Sequence, residues 1–596
     1  MSTMNITKSK FMEYIRCDRY AALNHIYKRK DLDDAAMDRY YDLIDSLEQF
    51  NPDTDDDILS PDLEQLQIMM PYFTKIEELA ARKIISDWGG ETRYGTTYGT
   101  QKLFLRDHRN FNLMCYVDIY NKQDNQVNII EVKATTTNKF LAMGYTENKV
   151  RHTIFEADDT GILRLREERD PTLLENRKYL NQRKKLFERF TDEGAYVYDL
   201  AFQRFVIDAD VPQARYYLGV LNHEYVHDGE TFEGEPVYDK NIITFIDLTT
   251  ITEEMMPKMT QAIDLVVDRI TADDESRVRL GKHCQLKKQR ECIFKDLCYD
   301  RFPKKNSILM YIDKHHGFKD EHGEKHDYFD LIDDDYLAMT DVPHEWLNRR
   351  NNQIQRDCAL TQKPYVDQGK IRDGIAEIRY PIYHLDFESF PCPLPRFAGE
   401  KAYTQSLFQF SLHIEHEPGV CDKEHDHIEY LAPDHADHRL DLVQAMCAAI
   451  PQDGGSVMVY NQAFEKTRIR ELAALYPQYA NHLADIADRL FDLMHIVKTN
   501  TKLYTGLGYD EARAKTVNFY HEDLAGSYSI KKVLPIFSEL TYQGMRVGNG
   551  MEAVYAYASF ATLGAAERAE LRHALIEYCK QDTWAMVEIL AALRKI

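Results

Sequence analysis

The segment NLMCYVDIYNKQDNQVNIIEVKATT, residues 112–136, carries two apolar runs separated by the polar turn KQDN, and this pattern predicts a β-hairpin. A hairpin folded symmetrically about residues 123 and 124 sets Asp118 opposite Ile129 and diagonal to Glu131, within side-chain reach on one face. Glu131 and Lys133 lie two apart on a strand and share that face. Two carboxylates and an ammonium therefore converge. Carboxylates are the hard oxygen ligands that Mg²⁺ or Mn²⁺ prefers, and a metal-bound water beside a lysine is a workable centre for cleaving a phosphodiester. The same three charges also suit an exposed hairpin face that does no chemistry.

Working outward, a helical, acid-rich stretch (about 11–87) precedes the hairpin, and strand-like runs come after it at DLAFQRFVI, RYYLGVLN and NIITFIDL. This half mixes helices with a sheet. At its end, HCQLKKQRECIFKDLCYD presents Cys284, Cys292 and Cys298, and far upstream SKFMEYIRCDRYAAL presents Cys17. Four such sulfurs suit a [4Fe–4S] cluster, and they also suit tetrahedral Zn²⁺; buried free thiols are the third reading. Cys115, Cys358, Cys392, Cys421, Cys447 and Cys579 show no ligand grouping and read as core or surface.

From Tyr380 the pattern changes to YHLDFESF, LFQFSLHI and GGSVMVYNQ, alternating with helical periods, which predicts a separate α/β domain over 377–596. In PIYHLDFESF, Asp386 and Glu388 are two apart on an apolar strand and point to one face. Two buried carboxylates on one face are costly without a partner, and a metal ion supplies one. Asn461, Phe464 and Glu465 come just after the next strand, and the final helix carries Tyr578 and Asp582 one turn apart. Between the two halves, residues 306–376 read as a helical connector. Its His/Asp-rich patch KHHGFKDEHGEKHDYFDLIDDDY reads as solvated; metal binding is the other reading there, without defined ligand spacing.

A chain of 596 residues exceeds what one core supports, so two domains, 1–305 and 377–596 around the connector, are expected. The 44% hydrophobic share is that of a packed globular protein, with neither a membrane-spanning run nor a signal peptide, and predicts a cytoplasmic location where thiols stay reduced. The formal charge of −24 argues against coating nucleic acid by bulk electrostatics. It leaves room for a local basic path, such as Arg277–Lys305, with ten Lys/Arg against three acids, or the run near 176–190; a solvated helix face is the plainer meaning of both.

The Asp118, Glu131 and Lys133 motif resembles the PD-(D/E)XK nucleases, in particular the RecB-type branch that includes iron–sulfur exonucleases of CRISPR adaptation. That resemblance implies Asp118 and Glu131 as metal ligands and Lys133 as a catalytic group. It also implies Gln203, in YDLAFQRFVI, near the active site and Glu78, in KIEELAARK, as an upstream acid. Cys17, Cys284, Cys292 and Cys298 resemble the branch's four-thiolate cluster, although their spacing is wider than usual there. The second half resembles the DEDD exonucleases of the RNase H-like superfamily, in the variant whose last motif is Tyr-x3-Asp. Asp386, Glu388 and Asp582 match its acids, Glu465 stands where the family has Asp, and Tyr578 takes the water-orienting position. The whole resembles a bacterial family that fuses the two units. These resemblances imply a metal-dependent DNA nuclease using Mg²⁺ or Mn²⁺, acting on DNA ends or single strands, with RNA not set apart, in repair, CRISPR-like adaptation or defence. Other nuclease, helicase or defence proteins are its expected partners. One active centre with the other domain a nucleic-acid-binding relic, or a non-enzymatic scaffold, are the competing expectations.

Overall fold

The computed structural model describes residues 4–27, 63–95, 101–284, 292–312 and 317–596. The described chain forms two compact units, both mixed α/β: one takes residues up to 298 together with 392–404, the other takes 299–391 and 405–596.

The first unit is built on two sheets. Strand β1 (Met4–Thr7) pairs in parallel with β4 (Phe111–Val117), whose other edge holds β3 (Lys102–His108). A seven-stranded sheet runs in the order β2 (Glu91–Tyr94), β5 (Ile119–Gln123), β6 (Gln126–Thr136), β9 (Arg215–Leu221), β10 (Ile243–Asp247), β8 (Leu163–Leu165), β7 (Phe155–Ala157). Asp118 is the single residue between β4 and β5, where the chain leaves one sheet for the other. The hairpin β5–β6 exists, with a correction to its register. Its pairs run from Gln123↔Gln126 to Ile119↔Ile130, around a turn in which Asp124 takes a left-handed φ of 52°. Asp118 is therefore level with Glu131 rather than diagonal to it.

Helix α1 (Lys8–Tyr14) starts at Thr7, whose hydroxyl accepts the Lys10 N–H. Helix α2 (Leu63–Asp87) leads into the sheet. The run DLAFQRFVI is a helix and not a strand: it lies in α3 (Asp192–Ile207), capped by the Thr191 hydroxyl accepting from Gly194 N–H, with Asp192 and Glu193 in the first turn. Nearly every side chain of α3 from Tyr196 onward is buried. A helix apolar on all sides has no amphipathic period, so its short apolar run is indistinguishable from a buried strand in the sequence. The helix is the crossover between the parallel strands β6 and β9.

The second unit holds a five-stranded sheet. Strand β11 (Ile382–Pro391) is central, antiparallel to β12 (Gln405–Glu415), which is antiparallel to β13 (His427–Leu431). On the other side β14 (Val457–Val459) runs parallel to β11 and β15 (Leu490–Asp492) parallel to β14. Residues 306–376 pack within this unit: helices α4 (Arg350–Thr361) and α5 (Gln368–Ile375) give Ile354, Cys358 and Ile371 to the core that holds Ile382, Met458 and Leu590. The described part of the His/Asp-rich patch forms a small hairpin and a capped helix that buries Phe329, Leu331 and Ile332, so it is more than solvated chain. No helix among the described residues is long and apolar enough to cross a membrane.

Two candidate metal centres and a cysteine group

In the first unit the convergence read from the hairpin is present and larger than the motif. The Asp118 carboxylate accepts the Val132 N–H at 2.9 Å and the Gln101 amide at 3.0 Å. Glu131 accepts from the Gln203 amide at 2.6 Å and pairs with Lys133 at 2.9 Å. Two residues that the sequence reading missed complete the group. Lys8, at the start of α1, reaches Glu131 at 2.6 Å and Asp199 at 3.3 Å, and Asp199 lies 3.4 Å from Lys133. Asp199 and Gln203 are one turn apart on α3 and face the site together. Reading that segment as a helix would have found Asp199. Nothing in the sequence signals Lys8, which sits 123 positions from its partner.

Burial is the largest influence on Glu131 and opposes its charge, but Lys133 and Lys8 together hold its carboxyl down to about 2. Burial, then the charges of Glu131 and Glu77, push the Asp118 carboxyl well above the usual carboxylate range. The α2 acid that reaches Asp118 is thus Glu77. Glu78, the expected acid, is a helix-surface residue near Lys75 at 3.6 Å and Arg82 at 3.8 Å, because adjacent helix positions point about 100° apart.

The four cysteines come from two distant segments to the margin of the first unit's core, where Cys17, Cys292 and Cys298 pack against it and Cys284 is buried in its own right. Their charges reach one another: Cys298 acts on Cys17, while Cys17 and Cys298 act on Cys284. The Cys292 N–H donates to the Cys284 carbonyl at 3.2 Å. Burial raises the thiols of Cys17, Cys284 and Cys292, the last to about 11. Guanidinium groups surround the sulfurs: Arg19 donates to Cys298 Sγ at 3.7 Å, and Arg16 and Arg269 favour the thiolates of Cys292 and Cys17. A thiolate-ligated metal group needs deprotonated sulfurs and compensating positive charge; these guanidinium groups would supply the charge, while burial opposes the deprotonation. Residues 285–291 of the basic run between these cysteines lie outside the described residues.

In the second unit β11 presents Asp386 and Glu388 on one face. Helix α6 (Ala463–Leu475) brings Glu465, and the last helix, α8 (Ala565–Leu593), brings Tyr578 and Asp582. All belong to one site. Burial first, and the charge of Asp582 second, push the Asp386 carboxyl well above the usual range; burial and Asp386 do the same to Glu465. Glu465 is 4% exposed and its Oε2 has no hydrogen-bond partner. Burying such an oxygen unpaired is costly, and a proton or a cation in the site would relieve that cost. Tyr578 is buried beside Asp582 and Glu388.

Three further residues enter this site. Tyr542 donates its hydroxyl to Asp582 at 2.6 Å. Lys531, on α7 (Ile530–Phe537), lies 5.9 Å from the Tyr578 ring centre and its charge reaches Asp386. Cys579, read from the sequence as core, donates its thiol to Asp386 at 3.6 Å, and its sulfur and oxygens of Asp386 and Glu388 all lie within 4.8 Å of one another. Asp320, Glu324 and His326 form a similar group on the small hairpin, with Asp320 and His326 half-buried and Glu324 exposed.

A family profile described as a domain of unknown function, DUF2779, matches residues 383–529, which span β11 with Asp386 and Glu388, and Glu465 on α6, and stop short of Lys531, Tyr578 and Asp582. No curated protein and no solved structure matches the chain.

Proposed function

We propose that the protein is a metal-dependent nuclease with two phosphodiester-cleaving centres, one in each unit. The observation that carries this reading is the second centre: four acids from a strand and two helices converge there, and one carboxylate oxygen of Glu465 among them is buried and unpartnered. The sheet supports an RNase H-like fold for this unit, since a three-strand meander β11–β12–β13 is succeeded by two strands parallel to β11 in the order 3-2-1-4-5. In the first unit the restriction-endonuclease-like reading is supported by α2, the hairpin, and the crossover through α3 to a parallel strand.

At the second centre Asp386, Glu388, Glu465 and Asp582 would hold divalent ions, which supply an activated water and stabilise the leaving oxygen. The protein's own part is to orient: Tyr542 fixes the Asp582 carboxylate, Tyr578 offers a hydroxyl toward the water position, and Lys531 offers positive charge to a phosphate. At the first centre Asp118 and Glu131 would hold the ion, while Gln203 and Lys8 fix Glu131 and Lys133 stabilises charge on the attacked phosphate. The cysteine group would hold a [4Fe–4S] cluster whose part is structural. DNA ends or single strands are the substrates this reading assigns.

Incubation of the full chain with end-labelled oligonucleotides, metal-free and then with Mn²⁺ or Mg²⁺, tests the reading. Cleavage that appears with the ion and vanishes with chelator is expected. Intact single- and double-stranded DNA and RNA at saturating Mn²⁺ would mark the chain as a non-enzymatic scaffold.

A further inference from the structure

We propose that the second centre contains a mixed thiolate–carboxylate metal position, made by Asp386, Glu388 and Cys579, that selects a thiophilic divalent ion of the Zn²⁺ class over Mg²⁺. The inference deepens the nuclease reading of this site and rests on it for the role of the ion, but the ion's binding stands on the geometry alone.

The distances are those of a ligand set before the ion arrives. A tetrahedral ion about 2.3 Å from sulfur and about 2.0 Å from oxygen sets those two atoms roughly 3.5 Å apart. Cys579 Sγ lies 3.6 Å from Asp386 Oδ2, and the sulfur, one oxygen of Asp386 and one oxygen of Glu388 all lie within 4.8 Å of one another. Asp386 and Glu388 are held two apart on β11, and Cys579 is fully buried on α8, so all three donors come from regular elements. A second observation points to a cation in the same place: the unpartnered, buried Oε2 of Glu465, whose strongest charged neighbour is Asp386.

The chemistry then separates two kinds of ion. Mg²⁺ takes oxygen donors in near-ideal octahedral geometry and has little use for sulfur. Zn²⁺ accepts one thiolate with two carboxylates and leaves a position open for water, and among the first-row ions it also binds such donors more tightly than Mn²⁺. As the metal–sulfur bond forms, the Cys579 proton passes to solvent, so the bound ion gains one anionic ligand that an all-carboxylate site lacks.

Cd²⁺, the spectroscopic stand-in for Zn²⁺, reports each thiolate bond through its sulfur-to-metal charge-transfer absorption. The full chain, Cys579→Ser and Cys579→Ala are titrated at matched iron content, so that the four cysteines of the first unit contribute equally, and Zn²⁺ affinity is measured alongside. The wild type should show one more Cd–thiolate increment per chain than either variant, Glu388→Gln should weaken that increment, and Zn²⁺ affinity should fall roughly ten-fold or more in Cys579→Ser. Identical Cd²⁺ spectra and Zn²⁺ affinities in the wild type and both Cys579 variants would overturn the proposal. Mn²⁺-dependent cleavage is read in the same samples: if it persists while the spectra are identical, the mixed site fails and the nuclease reading stands, and the reverse pattern separates them the other way.

Discussion

The two candidate centres neutralise their acids by different means. In the first, Lys8 and Lys133 lie within 2.9 Å of Glu131 and within 3.4 Å of Asp199, so the protein supplies its own cations. In the second, burial drives the carboxyls of Asp386 and Glu465 upward, and the nearest strong influence on each is another acid, Asp582 on Asp386 and Asp386 on Glu465. A site that carries its own ammonium groups is ordered before metal arrives, whereas one that leaves buried acids uncompensated stores a cost that only protons or metal ions relieve. In the first centre Glu131 and Asp199 are thus neutralised by the protein's own lysines, whereas Asp118 there and the buried acids of the second centre are left for protons or cations to neutralise.

The largest effect that tests this contrast is loss of the staple. Lys8 begins α1, and Cys17 lies three residues beyond the end of that helix, so a metal group held by the four cysteines would anchor the segment that delivers Lys8 to Glu131. Structural metal groups contribute on the order of 10 kcal/mol to small domains, so Cys17→Ser should remove a brown chromophore near roughly 400 nm from anaerobically purified protein and strongly lower the melting temperature of the first unit. Stoichiometric zinc without iron would replace the cluster by another staple; unchanged melting in Cys17→Ser would remove the staple altogether.

The next effect separates the centres by pH. Asp386 and Glu465 have folded values raised above their unfolded ones, so the stability they contribute is full below the ordinary carboxylate range and is lost as pH rises through the raised values. Glu131 has the opposite sign: its contribution is present above the ordinary glutamate value of 4.5 and is lost as pH falls toward about 2. Asp118 shares the sign of the second centre. Without metal, stability should therefore decline as pH climbs above the carboxylate range. Mn²⁺ should flatten that slope and add about 2.7 kcal/mol at a concentration about 100 times its Kd, an increment that Asp386→Asn mostly removes. Calorimetry across pH with and without Mn²⁺ measures both, and a slope unaffected by the ion would place the uncompensated charge elsewhere.

The smallest effect on stability is expected for Tyr578→Phe. The ring keeps its packing, 6.2 Å from Tyr542, and only the hydroxyl is lost. Melting should stay within about 0.5 kcal/mol while the rate of the second centre falls roughly ten-fold or more. A variant as active as the wild type would take Tyr578 out of the water-positioning role.

Much of both centres was legible because their acids sit on strands, where a period of two reveals a shared face: Asp386 with Glu388, Glu131 with Lys133. What was not legible came through helices and long range. Gln203 is expected at the site but on a strand, whereas it reaches Glu131 from a helix whose all-round apolar surface masks its period, and that masked period hides Asp199 one turn away. Glu77 and Glu78 are neighbours in sequence, so no pattern of single residues chose between them. Cys579 lies beside Tyr578 in a motif that draws the eye to Tyr and Asp, and its nearness to Asp386 arises from packing of α8 against β11. Centring the turn by composition puts it one residue early and each strand partner two residues off, whereas the structure centres the turn on residues 124 and 125, with Asp124 left-handed.

The central claim is that two independent centres cleave phosphodiesters. Wild type, Lys133→Ala and Asp386→Asn, assayed with Mn²⁺ on 5′- and 3′-labelled strands, address it most directly. Removing Lys133 forfeits roughly 3 kcal/mol or more of charge stabilisation on the attacked phosphate, while Lys8 still neutralises Glu131 and keeps the unit folded. Each variant should lose one product pattern and keep the other, and the double variant should lose both. Full cleavage with unchanged products in both single variants would contradict the account.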